Sequence, residues 1–225
     1  MGIGNTTASS AITCALTRAS TTVATGRGTG VSPLAHANKI RVVDTALAKQ
    51  TDMAGRFCGH SNPPVNLRGY RQIDNLLKAL GDEFIDAIYT SDLVRAVVTA
   101  DALASVSQIS PIVMPSLREI NFGDWEGLGW QEVESRDADY AHRWSDGYHE
   151  LAAPGAELFA TFEARMLTAV ESIVEIPDVG CVAVVTHGGV MRVVLGELCG
   201  LNEKEAWGHT NTYCGFFLYK PKRGR

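Results

Sequence analysis

Apolar positions change their spacing repeatedly after residue 53, and the changes lay out a succession of helices and strands. Ile73, Leu76, Leu77 and Leu80 fall on one helical stripe that stops at Gly81. Phe84 to Tyr89 is an apolar run of the length of a buried strand, and Asp92 to Ala104 reads as the helix after it, with Ser91 placed to cap it. Residues 156–174 have the spacing of a long amphipathic helix. Cys181 to Thr186 is a β-branched core strand, Val190 to Leu198 the helix that follows, and Phe216 to Tyr219 a closing strand. Alternating strands and helices with near-continuous apolar strands predict an α/β fold, a mostly parallel sheet flanked by helices on both faces. Ligands in such sheets bind beyond the carboxyl ends of the strands. Ser91 to Arg95, Glu119 and His187 all fall there.

The first 52 residues have another character. They are rich in Thr, Ser, Ala and Gly, contain no Trp, Phe or Tyr, and hold a single acidic residue, Asp44, before Asp52. Thr6 and Thr7 can cap a helix reaching about Arg18, and Gly26-Arg27-Gly28-Thr29-Gly30 reads as a loop. Ser32 and Pro33 suit the start of a second helix to about Lys49, with Ile40, Val43 and Leu47 on one stripe. The expected organisation is a helical appendage over residues 1–52, too small to stand as a domain, and one domain over residues 53–225.

Composition narrows the function classes. A chain of 225 residues, 45% hydrophobic and 20% charged, can bury one good-sized core. The formal net charge of -5 leaves no basic surface for a polyanion, so no nucleic-acid partner is expected. Five cysteines, widely spaced and without a Cys-x-x-Cys, indicate neither a disulfide framework nor a zinc site, and fit a reducing, cytoplasmic location. No run of 18 apolar residues and no basic segment leading into an apolar one occurs, so neither a membrane span nor secretion is expected. Oligomeric state is not legible.

Three groups could supply chemistry. Arg95, in the first turn of a helix after a strand, would converge with backbone N–H groups on a phosphate dianion. His187 follows a strand and precedes Gly188-Gly189, where small residues let a ligand approach the backbone. Glu119, between Leu117 and the aromatic pair Phe122 and Trp125, is placed to be partly buried and to hand a proton to a leaving oxygen. Taken singly, the three also fit a surface helix arginine, a hydrogen-bonded strand-end histidine and a solvated loop carboxylate. Arg118, Asp124 and Glu126 are read as structural.

Taken together, Ser91-Asp92-Leu93-Val94-Arg95-Ala96, then Leu117-Arg118-Glu119-Ile120-Asn121-Phe122-Gly123-Asp124-Trp125-Glu126-Gly127, then Val185-Thr186-His187-Gly188-Gly189 resemble, in that order, the histidine phosphatase (phosphoglycerate mutase-like) superfamily. Supporting stretches are Met53 to Ser61, Leu67-Arg68-Gly69 with Gln72, and Pro154-Gly155-Ala156-Glu157. The resemblance implies phosphomonoester chemistry through a phosphohistidine on a small phosphorylated metabolite, with no metal and no cofactor. It implies Arg95 as the phosphoryl clamp, His187 as its partner in phosphate binding and transition-state stabilisation, Glu119 as proton donor, and Arg56 as a lining residue of the entrance.

One motif of that superfamily is missing. Its members open on a strand ending in Arg-His-Gly or Arg-His-Ala, whose histidine is the nucleophile, and no histidine occurs here between His36 and His60. If Thr51 is the threonine that follows that motif, Leu47, Ala48 and Lys49 stand in its place; a longer spacing would put Ala46 there. Alanine cannot attack phosphorus. Activity is therefore expected to be impaired or absent, with His60 and His36 as the nearest substitutes and a non-catalytic phosphate-ligand or regulatory protein as the alternative.

The N-terminal segment resembles a different family. Met1-Gly2-Ile3-Gly4-Asn5-Thr6-Thr7, the loop Gly26 to Gly30, and Ala37-Asn38-Lys39-Ile40 with Val42-Val43 and Ala46-Leu47 are similar to the phosphate-binding core of nicotinate-nucleotide dimethylbenzimidazole phosphoribosyltransferase. That family's glutamates have no counterpart here, so a remnant rather than a transferase is expected. The two resemblances belong to consecutive steps of cobalamin lower-ligand assembly. Their union implies a gene fusion and α-ribazole 5'-phosphate, the substrate of α-ribazole phosphatase, as the ancestral substrate.

Overall fold

The computed structural model describes residues 53–81, 83–176 and 180–219. The two helices and the glycine loop expected within residues 1–52 lie outside the described residues. The chain divides into two compact units, one of residues 1–52 and 63–74, the other of residues 53–62 and 75–225.

Asn66, in the first unit, turns the chain into α1 (Leu67–Leu80), whose residues from 75 on belong to the second: its Oδ1 accepts the Gly69 N–H at 2.9 Å and its carbonyl the Tyr70 N–H at 3.1 Å. The helix ends where the periodicity places it. Gly81 takes φ +60 and returns its N–H to the Leu77 carbonyl, a conformation that favours glycine.

The second unit is built on a parallel sheet that, among the described residues, has three strands, β1 (Ala87–Thr90), β2 (Ile112–Val113) and β3 (Val182–Val185), in the order β2-β1-β3. Central β1 pairs Tyr89 with Ile112 on one side and Ala87 to Thr90 with Val182 to Val185 on the other. Helices cover both faces. On one, Ile88 of β1 with Ala183 and Val185 of β3 packs against Ala100 and Leu103 of α2 (Val94–Ser107) and against Leu77, Leu80 and Ile85. On the other, Tyr89 and Val182 meet Phe162, Met166, Ala169, Val170 and Ile173 of α5 (Phe159–Val174) and Val190 and Val193 of α6 (Gly188–Glu197). This alternation is the period-two signature of a strand buried from both sides.

A third cluster is aromatic. Trp125 and Val133 pack with Phe57, Phe122, Trp130, Tyr140 and Trp144 around α3 (Trp130–Arg136) and α4 (Ala138–Gly147). Phe57, Phe122, Trp125 and Trp144 meet with ring centroids 5.1 to 6.3 Å apart, mostly edge to face. The last described helix, α7 (Glu203–Thr210), starts in a capping box between Asn202 and Glu205.

Four sequence expectations shift. The strand expected from Phe84 begins at Ala87, and Phe84 itself is 76% exposed because the chain has not yet joined the sheet. The helix expected from Asp92 starts at Val94, and Ser91 does not cap it; Asn62 Oδ1 accepts the Val94 N–H at 2.7 Å, since the Ser91 hydroxyl is turned to His187. The helix expected from residue 156 starts at Phe159, after the turn at Pro154-Gly155. Residues 216–219 form no strand: no described strand lies alongside them, and Phe216 and Leu218 face solvent.

Candidate active site

The site lies where β1 and β3 end. Ser91 leaves β1 with its N–H on the Val185 carbonyl of β3, and two residues beyond the end of β3 His187 closes the first turn of α6. Both are buried, Ser91 completely and His187 at 6% exposure. Thr186 between them ties the end of β3 to the turn before Glu119, donating its hydroxyl to the Leu117 carbonyl at 2.8 Å.

Both nitrogens of His187 are engaged. Nε2 lies 2.6 Å from Ser91 Oγ, and Nδ1 accepts the Nε–H of Arg95 at 3.2 Å. A guanidinium has no acceptor, so Nδ1 carries the lone pair and Nε2 the proton. Nε2–H therefore donates to Ser91, which leaves no imidazole lone pair to activate that hydroxyl. Burial first, then the positive charge of Arg95, with smaller pushes from His60 and Arg165 that outweigh the pull of Asp92, lowers the pKa of His187 from 6.5 to about 3. The imidazole is neutral at physiological pH.

Arg95, in the first turn of α2, donates from NH1 to the Ser61 carbonyl at 3.0 Å and from NH2 to the carbonyls of Cys58 and Gly59 at 3.0 and 2.7 Å. Glu119 is 8% exposed; its Oε2 accepts the Gly189 N–H at 2.8 Å in the first turn of α6, and its Oε1 its neighbour Ile120's N–H at 3.0 Å. Gly189 permits this approach, because a Cβ there would collide with the carboxylate. The Glu119 carbonyl is held in turn by His60 Nε2 at 3.0 Å and Arg165 NH2 at 2.9 Å. Since a carbonyl only accepts, His60 donates from Nε2.

Arg165 fixes the segment that carries Glu119. From α5 it reaches the carbonyls of Ser116 and Arg118 at 2.8 and 2.9 Å, forks onto Glu157 at 2.7 and 2.8 Å, and lies over the Phe162 ring. Burial pushes the Glu157 carboxyl up, and the Arg165 fork with the Asn121 N–H outweighs it, holding the carboxyl below its ordinary value. Arg118 pairs with Asp92 through Nε at 2.6 Å and through NH2, a bond that lowers the Asp92 carboxyl despite its partial burial.

The structure thus brings Arg95, His187 and Glu119 into one network. Arg56 stands elsewhere: it is 39% exposed, bridges to Gly129, and donates to the Gly127 carbonyl at 2.8 Å and to Glu132 at 2.7 Å. Ser91, Arg165 and Glu126 belong to the network and are not among the site residues expected from the sequence, although Ser91 sits inside a motif that is; His60, expected there only as a substitute nucleophile, belongs to it as well. Asp124 stays exposed and is no part of it.

The chain that carries this arrangement has known relatives. The sequence matches the histidine phosphatase superfamily (branch 1) over residues 49–225. The chain belongs to that superfamily. Over 158 residues it is 28% identical to adenosylcobalamin/alpha-ribazole phosphatase of Escherichia coli, covering 70% of this chain and 78% of the relative. It is also 29% identical over 153 residues to phosphoserine phosphatase 1 of Hydrogenobacter thermophilus, covering 68% and 72%. Among solved structures, alpha-ribazole phosphatase from Shigella flexneri superposes with a TM-score of 0.62 at 28% identity, covering 69% of this chain and 77% of the other. Residues 1–59 match a phosphoribosyltransferase family, so the superfamily match begins before that one ends. Among the described residues no helix is long and apolar enough to cross a membrane.

Proposed function

We propose that this histidine phosphatase relative binds a phosphorylated small metabolite, α-ribazole 5'-phosphate by descent, between Arg95, His187 and Glu119, and turns it over slowly or not at all. The carrying observation is the convergence of these three side chains, from three separate motifs, on the ends of one strand pair. In this reading Arg95 meets the phosphoryl oxygens, His187 offers a neutral N–H donor, and Glu119 serves the leaving oxygen. Two observations support weak turnover. No histidine stands between His36 and His60, and the tautomer of His187 leaves Ser91 without a base. The substrate assignment draws on the relatives' names and on the phosphoribosyltransferase-like segment.

The test is titration of the full chain with α-ribazole 5'-phosphate, followed by calorimetry and by phosphate release, beside His187→Ala. Saturable binding that His187→Ala weakens, with release no faster than in that variant, is the expected result. Absence of binding would remove the reading. Steady release abolished by His187→Ala, with an acid-labile phosphohistidine trapped on His60, would replace it with a working phosphatase that uses another nucleophile. A Leu47→Arg, Ala48→His double variant is expected to gain activity.

A further inference from the structure

The loop from Cys58 to Ser61 is gripped by two side chains of opposite charge. On one side Glu126 accepts its N–H groups: Gly59 and Ser61 on Oε2 at 3.1 and 2.9 Å, and His60 on Oε1 at 2.7 Å. The Ser61 hydroxyl joins at Oε2, and the Phe122 N–H reaches Oε1 at 3.0 Å. On the other side the loop turns the carbonyls of Cys58, Gly59 and Ser61 to the guanidinium of Arg95. The Cys58–Gly59 and Gly59–His60 peptide units are therefore polarised in the direction both charges favour, so the two sets of bonds reinforce one another. The fit is close: a Cβ on Gly59 would run into the Ile120 carbonyl and Glu126 Oε1.

We propose that Glu126 is the positioning residue of Arg95, setting through the Cys58–Ser61 loop where the guanidinium lies and, through it, which nitrogen of His187 carries the proton. The inference rests on the reading that Arg95 and His187 face a phosphoryl group. Four bonds fix the guanidinium, three of them to carbonyls that Glu126 holds in place, and the fourth is the Nε–H on His187. Replacing Glu126 by glutamine puts an NH2 donor against N–H groups that now meet a carboxylate oxygen. The loop must tip, its carbonyls leave Arg95, and Nδ1 of His187 loses the donor that defines its tautomer. The groups whose charges act on His187 are Arg95, His60, Arg165 and Asp92, and among them Arg95 is the one bonded to the ring through its own side chain.

The experiment compares the full chain with Glu126→Gln, Ser61→Ala and a control at the α7 cap, Glu205→Gln, whose carboxylate is bonded to Asn202. Imidazole 15N shifts of His187 and affinity for inorganic phosphate are read for each. A folding role alone would lower the melting temperature and leave both readouts in place. The expected result is a single Nε2–H tautomer in the wild type, a mixed one in Glu126→Gln with phosphate affinity down about tenfold, a smaller change in both for Ser61→Ala, and none for Glu205→Gln. A folded Glu126→Gln with wild-type shifts and affinity would overturn the proposal. If that variant does not fold, Ser61→Ala decides on the same two readouts. If the wild type binds no phosphate, the functional reading fails, and the His187 shifts still decide the part played by Glu126.

Discussion

Arg95 donates its Nε–H to Nδ1 of His187 across 3.2 Å, and this bond ties the ionisation of the imidazole to the position of the guanidinium. A second proton on His187 would place an N–H against that donor. The residue is thereby set up as a neutral donor, and burial enforces the same state.

A pH dependence of stability follows. In the unfolded chain His187 takes up a proton near its ordinary value of 6.5, whereas the folded chain refuses it until about pH 3. The unfolded state therefore binds more protons between those limits, and the contribution is complete above pH 6.5 and lost as pH falls towards 3. Urea unfolding across this window should show the wild type losing on the order of 1 kcal/mol per pH unit more than His187→Gln. Equal slopes for the two proteins would contradict the buried neutral imidazole.

Gly189→Ala separates position from stability. A Cβ at residue 189 collides with the Glu119 carboxylate, which is the free end of a flexible side chain and can swing away. Melting temperature should fall little, while a crystal structure of the variant should show Glu119 detached from the residue 189 N–H. Retention of that bond would mean that the helix start, rather than the glutamate, gives way.

Arg95→Lys tests the fork. An ammonium cannot reach three loop carbonyls and Nδ1 of His187 together, so some of these acceptors lose their partner. A loss of roughly 1–3 kcal/mol of stability is expected, together with weaker binding of inorganic phosphate. Unchanged phosphate affinity would place the anion away from Arg95.

Gly123→Ala should be among the most damaging single changes near the site. Gly123 has φ +54, and a Cβ would press on the backbone of Pro154, Gly155 and Ala156, none of which can rotate away. The turn it shapes places Trp125 in the aromatic cluster and precedes Glu126. Denaturant titration should register a loss of roughly 2–4 kcal/mol; a near-neutral variant would show that the turn can relax.

Much of the architecture was legible because spacing alone reports which side of an element is buried. Leu76, Leu77 and Leu80 lie on the α1 stripe, and β1, β3 and α6 stand within a few residues of their expected bounds. Element ends were harder to place, since they depend on partners far along the chain: Asn62 caps α2 from 32 residues away. The strand expected at residues 216–219 shows the same limit, because an apolar run becomes a strand only beside another edge. Within the site, Arg95, Glu119 and His187 stood out through their motifs. Glu126 and Arg165 did not, because what they hold is backbone, and backbone N–H and carbonyl groups 46 to 67 residues distant leave no mark in the residue types.

The pairing of β1 with β3 has a consequence for inheritance. Because Ser91 and His187 leave adjacent ends of one hydrogen-bonded ladder, Glu119 is latched to the turn just past it, and the Cys58–Ser61 loop holds Arg95, this set of groups is scaffolded by sequence from residue 58 onward. Such a cluster is a portable cassette: recombination can exchange what precedes it and hand it on already assembled.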